Sequence, residues 1–378
     1  MDKVLVLSCG TGGGHNSAAR AIADRLNKDN CKAIFSEYLD IVNPKMTNII
    51  NKIYIKSTIG NGRIFKKVYK LGEIYDEMKL KSPVYALNKL SKKKLYDYVI
   101  ENNYDYIVTT HLFAAQALTA IKKEKNIHFI AIATDYRCIP FWKETNPDYF
   151  IIPHKDLEPE FMSKGIKKEK LIPFGIPVSE NFNSTKTRKE ILNELNLEDR
   201  KYLLVMSGSM GFGNVLKTVE ALDDNISKEI SIIITCGKNE KLYKELKSKY
   251  SENERIILLQ FTNEVYKYMK ISEIILTKPG GLTTTEAATA NIPIIHTFPI
   301  PGCENYNASF FEDRKMSISC KNIDEIVIYT KRLLNDENLR NSITYNQKNN
   351  INKEACKQIC EFIIREIHKE EKNEPTNI

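Results

Sequence analysis

The sequence predicts an α/β protein of two successive domains, each a parallel sheet covered on both faces by helices. Three observations carry this. Short runs rich in Val, Ile and Leu alternate with amphipathic helical stretches along nearly the whole chain. The alternation stops once, at "LIPFGIPVSENF" (171–182), where two prolines, a glycine and the loss of helical period mark a break, and then restarts. The 378 residues suffice for two hydrophobic cores of ordinary size. The expected division is 1–178, then 179–350, with a last helix over 351–368 as a candidate to pack back on the first domain. The final residues, 369–378, read as a disordered tail. Two Rossmann-like domains facing across a cleft are expected, with ligands outside the carboxyl ends of the strands.

In the first domain "KVLVLS" reads as a strand, followed by a helix from Asn16 to Leu26 and a second strand, "KAIFSEY". A basic insertion (43–95) precedes the strand "YDYIVTT", a helix from about Phe113 to Lys123, and the strand "HFIAIAT". "DYFIIP" then leads to a helix near Leu157 to Lys164. After the break come "KYLLVMSGS", a helix from Asn214, "ISIIITCG", a helix from Glu240, "RIILLQF" and a helix from Asn263. "SEIILTKPGG", a helix from Leu282 and "IPIIHTF" complete the pattern.

Composition is that of a soluble globular chain, 42% apolar and 28% charged. No run approaches the roughly 20 apolar residues that span a bilayer, and the chain enters a strand at Val4 without a charged leader, so a cytoplasmic location is expected. The eight cysteines are scattered without a C-x-x-C pair, which favours reduced, buried thiols over a metal site. The net charge of +8 is unevenly placed: residues 43–94 hold thirteen Lys/Arg against three acids, interleaved with Ile, Phe and Tyr. That mixture suits the surface of an anionic membrane, with Lys66, Lys67 and Lys70 as candidate contacts. A solvated helical face is the plainer alternative, and no nucleic-acid partner is expected.

Four sets of residues carry candidate chemistry. "GTGGGH" (10–15) follows the first strand, but it fits neither the dinucleotide fingerprint, whose third glycine would be His15, nor the phosphate loop, which needs a following Lys-Ser/Thr pair. A histidine at a helix N-terminus is kept neutral by the helix dipole, and Gly13 and Gly14 clear space for a substrate hydroxyl, so His15 is a candidate general base. A capping or buried histidine is the alternative. "TKPGGLTTTEAATANIP" (277–293) opens a helix whose free N–H groups and threonine hydroxyls can hold an anionic diphosphate, with Glu286 one turn in and able to reach ribose hydroxyls. "SGSMGFGN" (207–214), with Gly208 and Ser209, supplies a second glycine-rich turn. "PIPGCENYNASFF" (299–311) adds Glu304, Asn305 and Asn307 as groups that could bond a sugar. Three such segments, each after a predicted strand of one domain, point to a nucleotide-sugar pocket.

Taken in order, "GTGGGH", "TDY…W" (134–142), "FGIPV" and "TKPGGLTTTEAATANIP…PGCENYNA" resemble the monogalactosyldiacylglycerol synthase and processive diacylglycerol glucosyltransferase family, glycosyltransferase family 28, over about residues 3–345. The resemblance implies the GT-B fold, a C-terminal domain for a UDP-sugar and an N-terminal one for the acceptor. It implies an inverting transfer of glucose or galactose to 1,2-diacylglycerol at the inner face of the cell membrane, without an obligatory metal. It implies His15 as the base, Gly280, Gly281, Thr283 and Thr284 at the diphosphate, and Glu286 at the ribose. Glu304 and Asn307 match sugar contacts, Thr262 the backbone that meets uracil, and Asp135 and Trp142 the acceptor side. Cys303 stands where the family usually has Gln, a departure that bears on donor identity. Two other activities stay open: transfer of N-acetylglucosamine to a polyprenyl-linked acceptor, and epimerisation of a UDP-sugar. A basic membrane-binding protein without enzymatic activity is a further reading of the insertion alone.

Overall fold

A computed structural model describes residues 2–10, 13–44, 81–206, 208, 214–299 and 302–373. Ser209 and most of the basic segment, with Lys66, Lys67 and Lys70, lie outside the described residues. The chain forms two compact units, one reaching Ser179 and resumed from Lys353, the other spanning Glu180–Asn352.

The first unit contains β1 (Lys3–Ser8), α1 (Gly14–Lys28), β2 (Lys32–Glu37), α2 (Tyr38–Val42), α3 (Pro83–Leu90) and α4 (Lys92–Glu101). It continues with β3 (Tyr106–Thr109), α5 (Leu112–Lys122), β4 (Phe129–Ile132), β5 (Tyr149–Ile151), α6 (Glu158–Ser163) and β6 (Leu171–Ile172). The strands are all parallel, in the order β2-β1-β3-β4-β5-β6. Val4 and Val6, Ile130 and Ile132 are fully buried between the helices, which is why these runs are apolar without alternation. The short β6 lies inside the Pro/Gly-rich stretch read from sequence as an uninterrupted break. Leu171 is buried there and pairs with Phe150, so register on a neighbouring strand overrides weak local propensity.

The chain returns to this unit through α15 (Ala355–Asn373), which packs on α1. Ile359 and Ile363 join Ile22 and Leu26 in one core, and the Cys356 and Cys360 thiols bond the Ala21 and Ile22 carbonyls. A buried polar chain ties α3 to the rest of the unit. The Gln116 amide and the Ser82 hydroxyl each donate to Glu144 at 2.7 Å, and Asn88 donates to Gln116 at 2.8 Å. Every buried polar group in that chain therefore has a partner, as burial requires.

The second unit holds α7 (Arg188–Leu195), β7 (Tyr202–Met206), α8 (Val215–Asn225), β8 (Ser231–Thr235), α9 (Glu240–Tyr250), β9 (Ile256–Leu259) and α10 (Val265–Ile271). It continues with β10 (Ile274–Thr277), α11 (Gly281–Thr289), β11 (Ile294–His296), α12 (Cys303–Asp313), β12 (Ser317–Ser319), α13 (Ile323–Asn335) and α14 (Glu337–Asn350). Its parallel sheet runs β12-β11-β10-β7-β8-β9. Leu203, Val205, Ile232, Ile234, Ile274 and Leu276 fill the core between the layers.

Strand order places the sites. In the first unit β1 has β2 on one side and β3 on the other; in the second, β7 lies between β8 and β10. At such a switch point the connections leave in opposite directions and open a crevice at the carboxyl ends of the two central strands. The "GTGGGH" turn follows β1, and the turns at Gly208 and at Lys278–Gly280 follow β7 and β10.

Candidate active site

In the first unit Gly13 caps α1 with φ 83°, a conformation open to glycine and strained for other residues, and Gly14 begins the helix. This sets His15 in the first turn, partly exposed, opposite the loop that follows β3. His15 Nδ1 lies 2.9 Å from the Thr110 carbonyl oxygen and 2.8 Å from Thr134 Oγ1. A carbonyl only accepts, so Nδ1 carries the proton and donates it; Nε2 keeps its lone pair and bonds nothing among the described residues. The Thr110 hydroxyl in turn donates to the His15 carbonyl at 3.0 Å, fastening the helix start to β3.

Burial holds the His15 pKa below its ordinary 6.5, opposed by the nearby Asp135 carboxylate and by the bond to Thr110. His111, which sequence reasoning missed, stands edge-on to His15 with ring centroids 4.7 Å apart. It caps α5, its Nδ1 accepting the Phe113 N–H at 3.2 Å, and burial pushes its pKa well below 6.5. It is therefore a neutral neighbour that adds no positive charge. The signal that could have found it is its place immediately after "IVTT", where a helix cap is expected.

Trp142 is not placed as an acceptor-side aromatic. It is 3% exposed, with its ring edge-on to Phe150 at 5.8 Å, because the short helical turn at Trp142–Glu144 folds it into the core.

In the second unit α11 begins at Gly281 with Gly280 as its cap. The Gly280 N–H is used by the Lys278 carbonyl, and the Thr284 N–H by the Gly280 carbonyl. The N–H groups without a helical partner are those of Gly281, Leu282 and Thr283, and they form the anion-facing end of α11. Two expectations are corrected here. Gly280 supplies a close backbone approach and no donor. Thr284 is fully buried with its hydroxyl 3.3 Å from His296 Nε2, because a run of three threonines on a helix turns two of them, Thr284 and Thr285, inward. His296, held at Nδ1 by Ser317 at 3.1 Å, is pushed down to about 3 by burial and stays neutral.

Asn307 also departs from expectation. It is 0% exposed, and its amide donates to the Pro279 carbonyl at 3.1 Å, so it anchors the turn and presents nothing to a sugar. Glu304, in the first turn of α12, is buried and forms an ion pair with Lys278, a residue that sequence reasoning passed over beside the more conspicuous glycines. Gly208 (φ 70°) crosses this side chain so closely that a Cβ there would lie 2.9 Å from Lys278 Cε. A small open hollow next to it is lined by Met206, Asn214, Thr218, Lys278 and Phe298.

Glu286 is half-buried and hydrogen-bonds to nothing among the described residues; burial raises its pKa to about 7. Thr262 lies beyond β9, its hydroxyl accepting the Glu264 N–H at 3.0 Å. Beside it the Phe261 ring is 53% exposed with Lys238 Nζ 5.5 Å from its centroid, a second feature that sequence reasoning missed. Among the described residues no three His, Cys, Asp or Glu side chains converge as metal ligands would.

Comparison with known proteins agrees with this division. Residues 15–178 match the family described as monogalactosyldiacylglycerol (MGDG) synthase, and residues 187–350 match glycosyl transferases group 1. A processive diacylglycerol beta-glucosyltransferase of Staphylococcus saprophyticus is 28% identical over 320 residues, 82% of this chain and 79% of the relative. The protein of the same name from Staphylococcus aureus MRSA252 is 27% identical over 372 residues, 96% of this chain and 92% of the relative. Among solved structures, MurG of Acinetobacter baumannii superposes with a TM-score of 0.62 at 14% identity, covering 97% of this chain and 100% of its own. UDP-GlcNAc 2-epimerase of Neisseria meningitidis, bound to UDP-GlcNAc, gives 0.62 at 16% identity, covering 96% and 100%. The first unit thus carries a match to the monogalactosyldiacylglycerol synthase family and the second a match to the glycosyl transferases of group 1, on the GT-B fold.

Proposed function

We propose that this protein transfers a hexose, glucose or galactose, from a UDP-sugar to the hydroxyl of 1,2-diacylglycerol at a membrane surface, with inversion at the anomeric carbon. The observation that carries the reading is His15: a neutral imidazole with Nδ1 tied to a backbone carbonyl and Nε2 open, in the stretch that matches the synthase family. The relatives named diacylglycerol glucosyltransferases support the acceptor and the sugar class.

The reaction in this reading is a single displacement. The acceptor hydroxyl gives its proton to His15 Nε2 while its oxygen bonds the anomeric carbon, and the bond from that carbon to the diphosphate breaks, its electron pair leaving with UDP. The N–H groups of Gly281, Leu282 and Thr283 meet the charge that develops on the leaving group, so no metal is required. Glu286 has a free carboxyl one turn along α11 for ribose hydroxyls, and Thr262 and Phe261 flank the place assigned to uracil. Gly13, Gly14 and Asp135 serve the acceptor side.

The membrane role of the basic insertion has support at its described end. On α3, Leu87 is 64% and Leu90 81% exposed on the helix that carries Lys89, with Lys92 opening α4, a pairing of apolar and cationic side chains suited to an anionic lipid surface. A cytoplasmic protein held peripherally at the membrane fits this arrangement, and among the described residues no helix is long and apolar enough to cross a membrane.

The deciding experiment incubates the protein with diacylglycerol in anionic vesicles and a panel of UDP-sugars, followed by mass analysis of the lipid. A hexosyl-diacylglycerol is the expected product. A polyprenyl-linked N-acetylglucosamine product in a parallel incubation, or an altered UDP-sugar without any glycolipid, would overturn the proposal.

A further inference from the structure

We infer that Lys278 is a specificity-determining residue for the donor: its ammonium recognises the diphosphate, and its ion pair with Glu304 couples that recognition to the sugar contact. The inference rests on the donor reading above and deepens it.

Position is the first argument. Lys278 follows β10 directly and precedes the Pro279-Gly280 turn, so its side chain arises at the switch point between β7 and β10. Both glycine turns of that crevice border it. A Cβ at Gly208 would meet Lys278 Cε at 2.9 Å, and a Cβ at Gly280 would lie 3.9 Å from Lys278 Nζ and 3.9 Å from Glu304 Oε1. The absence of side chains at these two positions leaves the ammonium approachable at the mouth of the hollow that Lys278 also lines.

Charge is the second. The open end of α11 offers three N–H groups and a dipole equivalent to roughly half an elementary charge, spent within the first turn. A diphosphate carries more negative charge than that offsets. Lys278, one turn of chain before those N–H groups, places an ammonium at the same place, where it can face an arriving diphosphate as well as Glu304.

Cost is the third. The Lys278 and Glu304 side chains are 22% and 8% exposed, so the pair gives up much of its hydration, and such pairs are often no more stable than apolar replacements. The pair is better explained by what it positions. Glu304, the acid matched to a sugar contact, is held by the cation facing the diphosphate, so displacement of either group is felt by the other.

The test compares uridine, UDP and UDP-glucose as ligands of the full-length protein by calorimetry, with Lys278→Met, Lys278→Arg and Glu304→Gln alongside the parent. Lys278→Met should leave uridine within about twofold of the parent and weaken UDP at least tenfold, whereas Lys278→Arg should keep most of the UDP affinity. Glu304→Gln should chiefly remove the gain of UDP-glucose over UDP, and the double variant should lose less than the product of the two single losses. Equal weakening of uridine and UDP by Lys278→Met, unchanged UDP binding, or strictly multiplicative losses would overturn the inference. Parent protein that binds uridine no more weakly than UDP would instead overturn the donor reading on which it stands.

Discussion

Replacing Asn307 by Ala separates two roles for one residue. The side chain is fully buried and donates to the Pro279 carbonyl at 3.1 Å, so its removal leaves that oxygen short of a donor in the interior. A buried polar group left unpaired costs about 1–3 kcal/mol. At ~2 kcal/mol, a domain of this size should melt about 4–8 °C lower. Pro279 immediately precedes the N–H groups at the start of α11, and a loosened turn should weaken UDP binding by about tenfold, ~1.4 kcal/mol. The assay is thermal melting together with calorimetric titration of UDP and UDP-glucose. A sugar-contacting Asn307 would behave otherwise: melting and UDP affinity would stay at parental values, and only UDP-glucose would bind more weakly. That pattern, or a melting temperature within about 1 °C of the parent, would refute the anchoring role.

Three further outcomes follow from the geometry. The acid limb of the kcat/KM profile should lie below the ordinary imidazole value of 6.5, because burial favours neutral His15; Asp135→Asn removes a charge that stabilises the imidazolium and should move that limb to still lower pH, a shift upward contradicting it. Thr284→Val keeps the branched shape but strips His296 Nε2 of its partner, so it should cost about 1–2 kcal/mol by denaturation and leave UDP affinity unchanged. Loss of UDP binding at full stability would return its hydroxyl to the diphosphate. Leu87→Glu with Leu90→Glu should release the protein from anionic vesicles in a flotation assay, and undiminished binding would remove α3 from the membrane surface.

The fold was legible because both sheets are built from buried apolar runs, and burial on two faces writes itself into composition at Val4–Leu7 or Ile232–Ile234 as plainly as a period does. Short elements were not. The strands Leu171–Ile172 and Ser317–Ser319 hold two and three residues, and only a neighbour's register defines them. The site was legible where backbone geometry decides it: Gly13 at a helix cap, Gly208 at positive φ, and the open end of α11. It was misread where side-chain direction decides it. Asn307, Ala308 and Phe311 recur at helical spacing and point inward, a periodicity present in "ENYNASFF" that a reading by residue type overlooks. Thr284 was read from chemical type and Trp142 from the family resemblance, and packing turned both inward. Lys278 gave no period or cap to read; its importance appears only when two turns far apart in sequence meet at one strand pair.

The central claim is that His15 Nε2 takes the proton of the lipid hydroxyl, and the most direct measurement pairs two readouts on His15→Ala. Hexosyl transfer to diacylglycerol in vesicles should fall by at least ~10²-fold, while the affinity for UDP, held by the other unit, stays within about twofold of the parent. Transfer persisting near the parental rate with UDP affinity intact would contradict the account and leave His15 a structural residue of the glycine turn.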